Sequence, residues 1–221
     1  MDYKHINDIE PVATYLADVI STHLDAGEHV LWLVSGGSGV QVGIRAAELL
    51  IGYDLSRLCV TLTDERFGSV GHPDENWQQL LDGGFALPGA TLYRTLSGDD
   101  RATTTQKFGT WLDEQLATAD YRIGLFGVGT DGHTAGIKPG SPAITATEVA
   151  IDFTGEDFER ITMTFPAIER LDEVVLQAFG GEKSPVLGQL LHEDLPLDKQ
   201  PAQVLKRVET CTLFTDVEET Q

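Results

Sequence analysis

Two residues that could carry out acid–base chemistry follow an apolar strand. Residues 125–140 read LFGVGTDGHTAGIKPG, in which Asp131 and His133 flank one glycine. Imidazole titrates near neutral pH, so a histidine can take a proton from water and return it. Asp131 could orient the ring, but the pair could equally begin a turn and cap the next element. The residue types alone leave a histidine general base and a structural turn as equal alternatives.

Three charged residues follow a second apolar run. The run RLCVTLT at 57–63 leads directly into Asp64, Glu65 and Arg66. Such a triplet is usually a solvated turn. In open α/β sheets, however, ligands bind in the crevice outside the carboxyl ends of the strands. The position of the triplet therefore predicts that its three charges face a ligand crevice.

A glycine-rich loop follows the first apolar strand, in the sequence LWLVSGGSGV. Gly36 and Gly37 would let the backbone approach a ligand, and Ser35 and Ser38 would supply hydroxyl groups. Unpaired amides at a helix start attract anions such as phosphate. The loop has neither the Walker pattern nor GxGxxG. We predict an anion site here, against the alternative of a glycine elbow that serves only helix–strand packing.

The overall charge restricts what the chain can bind. It has 35 acidic and 15 basic residues, for a formal charge of −20. This field repels nucleic acid and anionic membranes, so neither is expected as a partner. A phosphate would have to be captured by local donors. Arg160, at the boundary of one predicted strand, and Lys183, at a helix start, are candidates for that role, although basic residues at element ends are usually solvated.

Composition also excludes several kinds of site and location. Cys59 and Cys211 lie in apolar runs and are predicted to be core residues without a disulfide. The histidines are scattered and no metal-binding spacing occurs, so we expect neither a metal nor another cofactor. The N-terminal segment lacks a signal-peptide pattern, and no apolar run reaches the roughly 20 residues of a membrane span. The expected location is the cytoplasm.

Apolar patterns alternate between strand and helix along most of the chain. Predicted strands lie at 29–34, 57–63, 90–95, 121–128, 146–153, 160–165, 173–179 and 210–215. Predicted helices lie at 7–27, where Asn7 and Glu10 have capping-box spacing, and at 40–50, 76–84, 99–119 and 182–191. This order predicts a doubly wound α/β fold: a mostly parallel, Rossmann-like sheet with helices on both faces and an antiparallel insertion around 145–165. No linker or repeat divides residues 1–221, so a single catalytic domain is expected.

Five stretches, in this order, resemble the superfamily of 6-phosphogluconolactonases and glucosamine-6-phosphate isomerases/deaminases: SGGSG, TDERFGSVGHPDEN, GVGTDGHTAGIKPGSPAI, RITMT and GGEKSPVL. The histidine motif is the most specific of them. The resemblance implies a Rossmann-like sheet, no metal, and a sugar phosphate held by the glycine loop. The implied catalytic residues are Asp64, Arg66, Asp131 and His133, and the implied substrate-binding residues are Ser35, Gly36, Gly37, Ser38, Asn76, Gly129, Arg160 and Lys183.

Within the superfamily, the lactonases are the better match. DGHTAGIKPG is similar to their DGHTASLFPG, and DER followed by Asn76 is also lactonase-like. The deaminases resemble DGHIAFNEP, with a glutamate where this chain has Lys138. The chain departs from the lactonase pattern at 38–40 and at 136–138, which could alter the phosphate geometry or the preferred sugar. Lys138 could add a cation to the site.

The resemblance implies hydrolysis of 6-phospho-D-glucono-1,5-lactone to 6-phosphogluconate, in the oxidative pentose phosphate pathway. His133 would deprotonate water, Asp131 or Asp64 would orient its ring, and Arg66 would offset charge on the carbonyl oxygen. The partner would be a small phosphosugar lactone, bound by a monomer or a homodimer. The alternatives are a glucosamine-6-phosphate deaminase or isomerase, which the missing glutamate disfavours, and a sugar-phosphate sensor, which needs no base.

Overall fold

Residues 1–218 are described by a computed structural model of the chain, and they form two sheets with surrounding helices. The strands are β1 (Asp2–His5), β2 (Val30–Val34), β3 (Leu58–Leu62), β4 (Asp64–Arg66), β5 (Thr91–Leu92), β6 (Tyr121–Gly127), β7 (Ala150–Thr154), β8 (Glu159–Met163), β9 (Glu173–Ala178) and β10 (Thr210–Thr215). The α-helices are α1 (Glu10–Asp25), α2 (Gly39–Leu49), α3 (Asn76–Asp82), α4 (Arg101–Thr118), α5 (Phe165–Ile168) and α6 (Ser184–His192). Short 3-10 helices cover Pro142–Thr145, Gly181–Lys183 and Pro201–Arg207.

The main sheet has the strand order β1-β10-β9-β6-β2-β3-β5, and its neighbouring strands are parallel. The chain moves from β2 outward to β3 and β5, then returns to the other side of β2 through β6, β9 and β10. The small sheet, in order β4-β8-β7, is antiparallel. The predicted doubly wound α/β fold is confirmed, and so is the antiparallel insertion around 145–165, which contains β7 and β8.

Helices cover both faces of the main sheet, and β2 shows how. All of its residues are buried. Because alternate side chains point to opposite faces of a strand, Val30, Trp32 and Val34 pack with buried residues of α1 and α2. Leu31 and Leu33 pack instead with buried residues of α4 and α6. A strand covered on both faces therefore needs the continuous apolar run that the sequence shows.

The parallel arrangement brings several strand ends to one edge of the main sheet. Since β2, β3, β6 and β9 run in the same direction, the loops that follow Val34, Leu62, Gly127 and Ala178 leave the sheet together. Ligands of open α/β sheets bind at this edge. The small sheet begins there too, because β4 starts at Asp64, directly after the end of β3.

Local details differ from the sequence pattern in three places. The capping-box prediction for Asn7 was wrong, because α1 begins at Glu10 with a proline in its first turn and no side-chain cap. Proline suits this position, since its missing N–H is one that the helix leaves free. The pattern does not predict β1, because this exposed edge strand consists mostly of polar residues and has no apolar run. The strand predicted at 90–95 is reduced to Thr91–Leu92.

Both cysteines are free thiols, as the sequence predicts. Cys211 is buried, whereas Cys59 is only half-buried. Burial raises the pKa of both thiols, to about 12 for Cys211, and so disfavours the reactive thiolate. Across the described part of the chain, no helix combines the length and the apolar character needed to cross a bilayer.

The prediction that the whole DER triplet faces the crevice was wrong for Glu65. Its side chain is fully buried, on the face of β4 opposite to its two neighbours. The carboxyl group accepts the backbone N–H groups of Arg66 at 2.7 Å, Asn76 at 2.7 Å and Trp77 at 3.0 Å. The first N–H groups of a helix have no intrahelical acceptor. Glu65 therefore joins β4 to the start of α3 and fixes the positions of Arg66 and Asn76.

Burial raises the pKa of Glu65 from 4.5 to about 8, in spite of these N–H groups. The folded chain thus holds a proton that the unfolded chain releases between pH 4.5 and about 8. The stability due to this group is complete at low pH and declines as the pH rises through that window. We expect the stability of Glu65→Gln not to decline in this way. Thermal unfolding at several pH values within the window should show that the free energy of unfolding of the wild type falls by on the order of a few kcal/mol relative to that of the variant.

Glu114→Gln, at an exposed position of α4, is the matched control for that experiment. Its stability should follow the wild-type pH dependence. Parallel curves for the wild type and Glu65→Gln would contradict the raised pKa of Glu65.

Candidate active site

A cavity of about 260 Å³ lies at the edge where the strand ends meet. Every predicted site residue except Asp131 lines it. Four residues that the sequence analysis did not select line it as well: Gly127, Val128, Ala135 and Gly136. None of the four has a polar side chain that could indicate a site. Three are glycine or alanine, and Val128 is of a residue type that is common in protein cores. Their positions follow from the fold alone.

The glycine loop presents backbone N–H groups to this cavity. It follows β2 and ends where α2 begins. In the described structure the amides of Gly36, Gly37 and Ser38 have no hydrogen-bond acceptor. Free amides at a helix start attract anions through their partial charge and the helix dipole. Gln177 of β9 donates to the Ser38 hydroxyl oxygen at 2.7 Å, which holds the loop against the main sheet.

Gly36 and Asn76 fit closely together. A Cβ atom at Gly36 would lie 2.2 Å from Oδ1 of Asn76, so a larger residue would force Asn76 to move. The Asn76 amide nitrogen donates to the carbonyl of Asp64 at 3.1 Å, and its Oδ1 is buried without a partner. The glycine therefore lets Asn76 connect the glycine loop with β4.

Asp131 holds the imidazole of His133 in place. Its Oδ1 lies 2.5 Å from Nδ1 of the ring and accepts the backbone N–H of His133 at 3.1 Å. The ring also packs on Gly129, where a Cβ atom would lie 2.2 Å away. The backbone hydrogen bond typical of a structural turn and the side-chain contact that orients the ring are therefore both present. Nε2 has no hydrogen-bond partner in the described residues, and His133 lines the cavity.

The charge of Asp131 selects the tautomer of His133. Partial burial acts to raise the pKa of Asp131, but the backbone N–H and the ring of His133 outweigh it and hold this pKa below its usual value. An ionised carboxylate can only accept hydrogen bonds, so it favours the proton on Nδ1. In the neutral ring, Nε2 then carries the lone pair. This is the tautomer that a general base requires.

Asp64 lines the cavity but does not bind the imidazole. Its Oδ1 accepts the hydroxyl of Thr63 at 3.0 Å, and burial raises its pKa. A Cβ atom at Gly136 would lie 2.6 Å from its Oδ2, and Gly136 has a φ of +67°, in the region that favours glycine. Of the two carboxylates that could orient His133, the structure places Asp131 in contact with it.

Several contacts hold Arg66 at the cavity. Its guanidinium lies over the ring of Phe158, 4.6 Å from the centroid, where the negative face of the ring attracts a cation. It also donates to the carbonyl of Asp74 at 3.3 Å. Nε2 of His72 lies 3.1 Å from the carbonyl oxygen of Arg66. These contacts place a positive charge at a defined point of the cavity wall.

Arg160, in β8, is almost fully buried at the cavity. Its two terminal nitrogens donate to the carboxylate of Asp157 at 3.1 and 3.0 Å, and its Nε is buried without a partner. Lys138 binds the same carboxylate, with Nζ 3.1 Å from Oδ2. Lys138 does not line the cavity. Lys138 therefore pairs with Asp157 and is not part of the cavity wall, and its role as an added cation at the site stays a prediction.

Lys183 brings a second chain segment to the cavity that the glycine loop lines. It ends the 3-10 helix Gly181–Lys183, immediately before α6, and lines the same cavity. Burial lowers its pKa, although the charges of Glu182 and Asp216 oppose this effect. A partly desolvated ammonium group in a cavity that free amides also line favours the binding of an anion.

The fold and the cavity together define a doubly wound α/β protein with a cavity at the carboxyl ends of its strands. The sequence narrows this class to one family. The chain belongs to the glucosamine-6-phosphate isomerases/6-phosphogluconolactonase family, whose sequence profile matches residues 7–214. The family predicted from the five stretches is thereby confirmed.

Individual relatives show the same similarity. The chain is 29% identical over 157 residues to a 6-phosphogluconolactonase of Synechocystis sp., a match that spans 65% of this chain and 64% of that relative. Its fold is similar to that of a 6-phosphogluconolactonase from Thermotoga maritima, with a TM-score of 0.83, 19% identity and coverage of 97% and 98% of the two chains. A monomeric glucosamine-6-phosphate deaminase has a TM-score of 0.77, 17% identity and 97% coverage of both chains. The fold alone does not separate the two activities.

The variant Gly36→Ala tests the close fit of the glycine loop. Because the new methyl group would overlap the side chain of Asn76, we expect the free energy of unfolding to fall by about 1–3 kcal/mol, a usual cost of overpacking. The affinity for inorganic phosphate should fall as well. Denaturant unfolding and calorimetric titration with phosphate measure the two effects.

Gly127→Ala is the matched control, since its Cβ atom would have its nearest neighbour 3.6 Å away. It should retain wild-type stability. Asn76→Ala, introduced together with Gly36→Ala, should recover part of the stability lost in the single glycine variant, because it removes the overlapping atoms. Equal stability of the two single glycine variants would show that the predicted overlap does not exist.

Proposed function

We propose that the chain hydrolyses 6-phospho-D-glucono-1,5-lactone to 6-phosphogluconate, a step of the oxidative pentose phosphate pathway. One observation carries this proposal: His133, held by Asp131, shares a cavity with Lys183 and the free amides of the glycine loop. Hydrolysis of a phosphorylated lactone needs both a base for water and donors for the phosphate. The relatives named 6-phosphogluconolactonase support the same activity.

In this mechanism His133 is the general base. Nε2 takes a proton from a water molecule while the water oxygen bonds to the lactone carbonyl carbon, which gives a tetrahedral intermediate. Asp131 stabilises the imidazolium that forms. When the intermediate collapses, the bond from the carbonyl carbon to the ring oxygen breaks, and Nε2 returns its proton to that oxygen. The products are the open-chain acid and an unchanged histidine.

The positive groups are divided between the two ends of the substrate. Arg66 offsets the negative charge that develops on the carbonyl oxygen. The amides of Gly37 and Ser38, together with Arg160 and Lys183, bind the phosphate through charge-assisted hydrogen bonds, each stabilising by roughly 1.5–3 kcal/mol. The bound phosphate holds the lactone carbon beside the water, so that binding energy from one end lowers the barrier at the other.

The deaminase alternative lacks a group that the resemblance requires. The glutamate of the deaminase motif is replaced by Lys138, whose ammonium binds Asp157 outside the cavity. A sugar-phosphate sensor would not need an imidazole oriented by a carboxylate. The cytoplasmic location and the monomeric or homodimeric state are part of the proposal, and they rest on the sequence.

Acid release from freshly made 6-phospho-D-glucono-1,5-lactone distinguishes these functions. We expect a rate well above spontaneous hydrolysis and no ammonium from glucosamine 6-phosphate. Acid release at the spontaneous rate together with tight binding of 6-phosphogluconate would indicate the sensor, and ammonium release would indicate the deaminase.

The variant His133→Ala should lower kcat by about 10²- to 10⁴-fold, the usual contribution of a general base, with KM nearly unchanged. Asp131→Asn should lower kcat by a comparable factor, because the amide neither selects the tautomer with the proton on Nδ1 nor stabilises the imidazolium. Initial rates of acid release measure both. An unchanged kcat in His133→Ala would exclude the histidine from the mechanism.

The variant Lys183→Ala should instead raise KM by about tenfold and leave kcat near the wild-type value. The other phosphate donors still hold the lactone carbon beside the water, so only binding that is equal in the ground and transition states is lost. Arg160→Ala should act in the same direction. Lys199→Ala, at an exposed position, is the control and should match the wild type. If KM is unaffected in both Lys183→Ala and Arg160→Ala, the phosphate does not bind where we propose.

A further inference from the structure

Arg160 belongs to a group of three charged side chains, of which only Arg160 has a role in the proposed mechanism. Asp157 accepts two hydrogen bonds from Arg160 and lies 3.1 Å from Nζ of Lys138. Asp157 is in the turn between β7 and β8, and Lys138 follows the loop that carries His133. We call Lys138, Asp157 and Arg160 the ion triad. It connects the small sheet to the loop that holds the proposed base.

The charge of the ion triad depends on Lys138. Asp157 on its own would cancel the charge of Arg160, whereas the three groups together carry a net charge of +1. Partial burial acts to raise the pKa of Asp157, but the hydrogen bond from Lys138 and the charge of Arg160 outweigh it and hold this pKa below its usual value. The carboxylate is therefore ionised. In a chain with a formal charge of −20, another uncompensated carboxylate near the cavity would repel a dianionic ligand.

Arg160 is the member of the ion triad that reaches the cavity. Its side chain is 8% exposed, against 29% for Lys138 and 39% for Asp157. Nε of Arg160 is buried without a partner, and a buried donor of this kind costs free energy until an acceptor arrives. Lys138 does not line the cavity, so it acts on a ligand there without direct contact, through the charge balance of the ion triad.

On the basis of the proposed lactonase activity, we propose that Lys138 is a positioning residue that sets the affinity for the phosphorylated substrate. It balances the carboxylate of Asp157 and so leaves the positive charge of Arg160 available to the phosphate. When the Arg160 guanidinium binds the phosphate, the Lys138 ammonium still pairs with the carboxylate of Asp157. The negative charge of Asp157 is therefore not left uncompensated in this partly buried region. Lys138 itself contacts no substrate atom.

Removing and then restoring the charge balance tests this role. Lys138→Met should raise KM for 6-phospho-D-glucono-1,5-lactone about fivefold and keep kcat within about twofold of wild type. The double variant Lys138→Met/Asp157→Asn has the wild-type net charge in the ion triad, and its KM should return to within about twofold of wild type. Lys138→Arg keeps the charge and should resemble the wild type.

The salt dependence of KM separates an electrostatic role of Lys138 from a purely structural one, because only the electrostatic effect is screened by salt. The excess KM of Lys138→Met should shrink between about 0.1 M and 1 M KCl, since the Debye length falls from roughly 10 Å to 3 Å. Lys107→Met breaks an ion pair with Asp99 that does not line the cavity, removes the same charge, and should leave KM unchanged. Thermal unfolding of each variant verifies that it is folded under the assay conditions.

The inference is overturned if Lys138→Met has the wild-type KM, if the double variant is as impaired as the single one, or if Lys107→Met raises KM equally. Calorimetric titration of the same proteins with 6-phosphogluconate repeats the comparison on Kd. If the wild type fails to hydrolyse the lactone, the proposed function is wrong, but the Kd values still decide whether Lys138 controls the binding of a phosphorylated ligand.

Discussion

The site depends on the parallel alignment of β2, β3, β6 and β9, which brings their following loops to one edge of the main sheet. The contact between Asp131 and His133 is local and needs only one turn of chain. The proposed chemistry requires the two other loops that leave the sheet beside this contact. One of them presents unpaired amides, and the other carries Lys183.

The cavity at this edge is lined by positively charged side chains, although the chain as a whole is strongly negative. Each arginine at the cavity is held by a specific partner: Arg66 by the ring of Phe158 and a backbone carbonyl, and Arg160 by Asp157. Positive charge is therefore concentrated in a small volume and held in place, while the remaining surface is acidic. A concave site with low-dielectric walls strengthens such a local potential. The proposed anionic ligand would therefore be attracted at the cavity and repelled by the rest of the surface.

The sequence predicts the features that depend on periodicity and residue type. Apolar runs identify the inner strands of the main sheet, β2, β3, β6, β9 and β10, whereas the residue types of its two edge strands do not. Acid–base residue types identify Asp131 and His133. Glu65 could not be separated from its neighbours, because only the pleat of β4 decides that it points inward. Ala135 has a φ of +47°, an unusual value for alanine that no local residue preference predicts.

Tertiary contacts account for most of what the sequence could not predict. Lys138 and Asp157 are distant along the chain, and they meet only because the turn between β7 and β8 folds back over the loop that carries His133. The motif that contains Lys138 reaches the cavity, yet the Lys138 ammonium pairs with Asp157 and does not line the cavity. A motif therefore locates a backbone segment more reliably than it locates the end of a long side chain.

The margins of the main sheet have a consequence for behaviour at high concentration. β5 has two residues, and β1 has four residues that include the charged side chains of Asp2 and Lys4. Fibrous aggregation usually starts where a long, flat, apolar strand offers its backbone to another molecule. Neither margin of this sheet provides such a template, so neighbouring copies of the chain are poorly suited to extending one another's hydrogen-bond ladders.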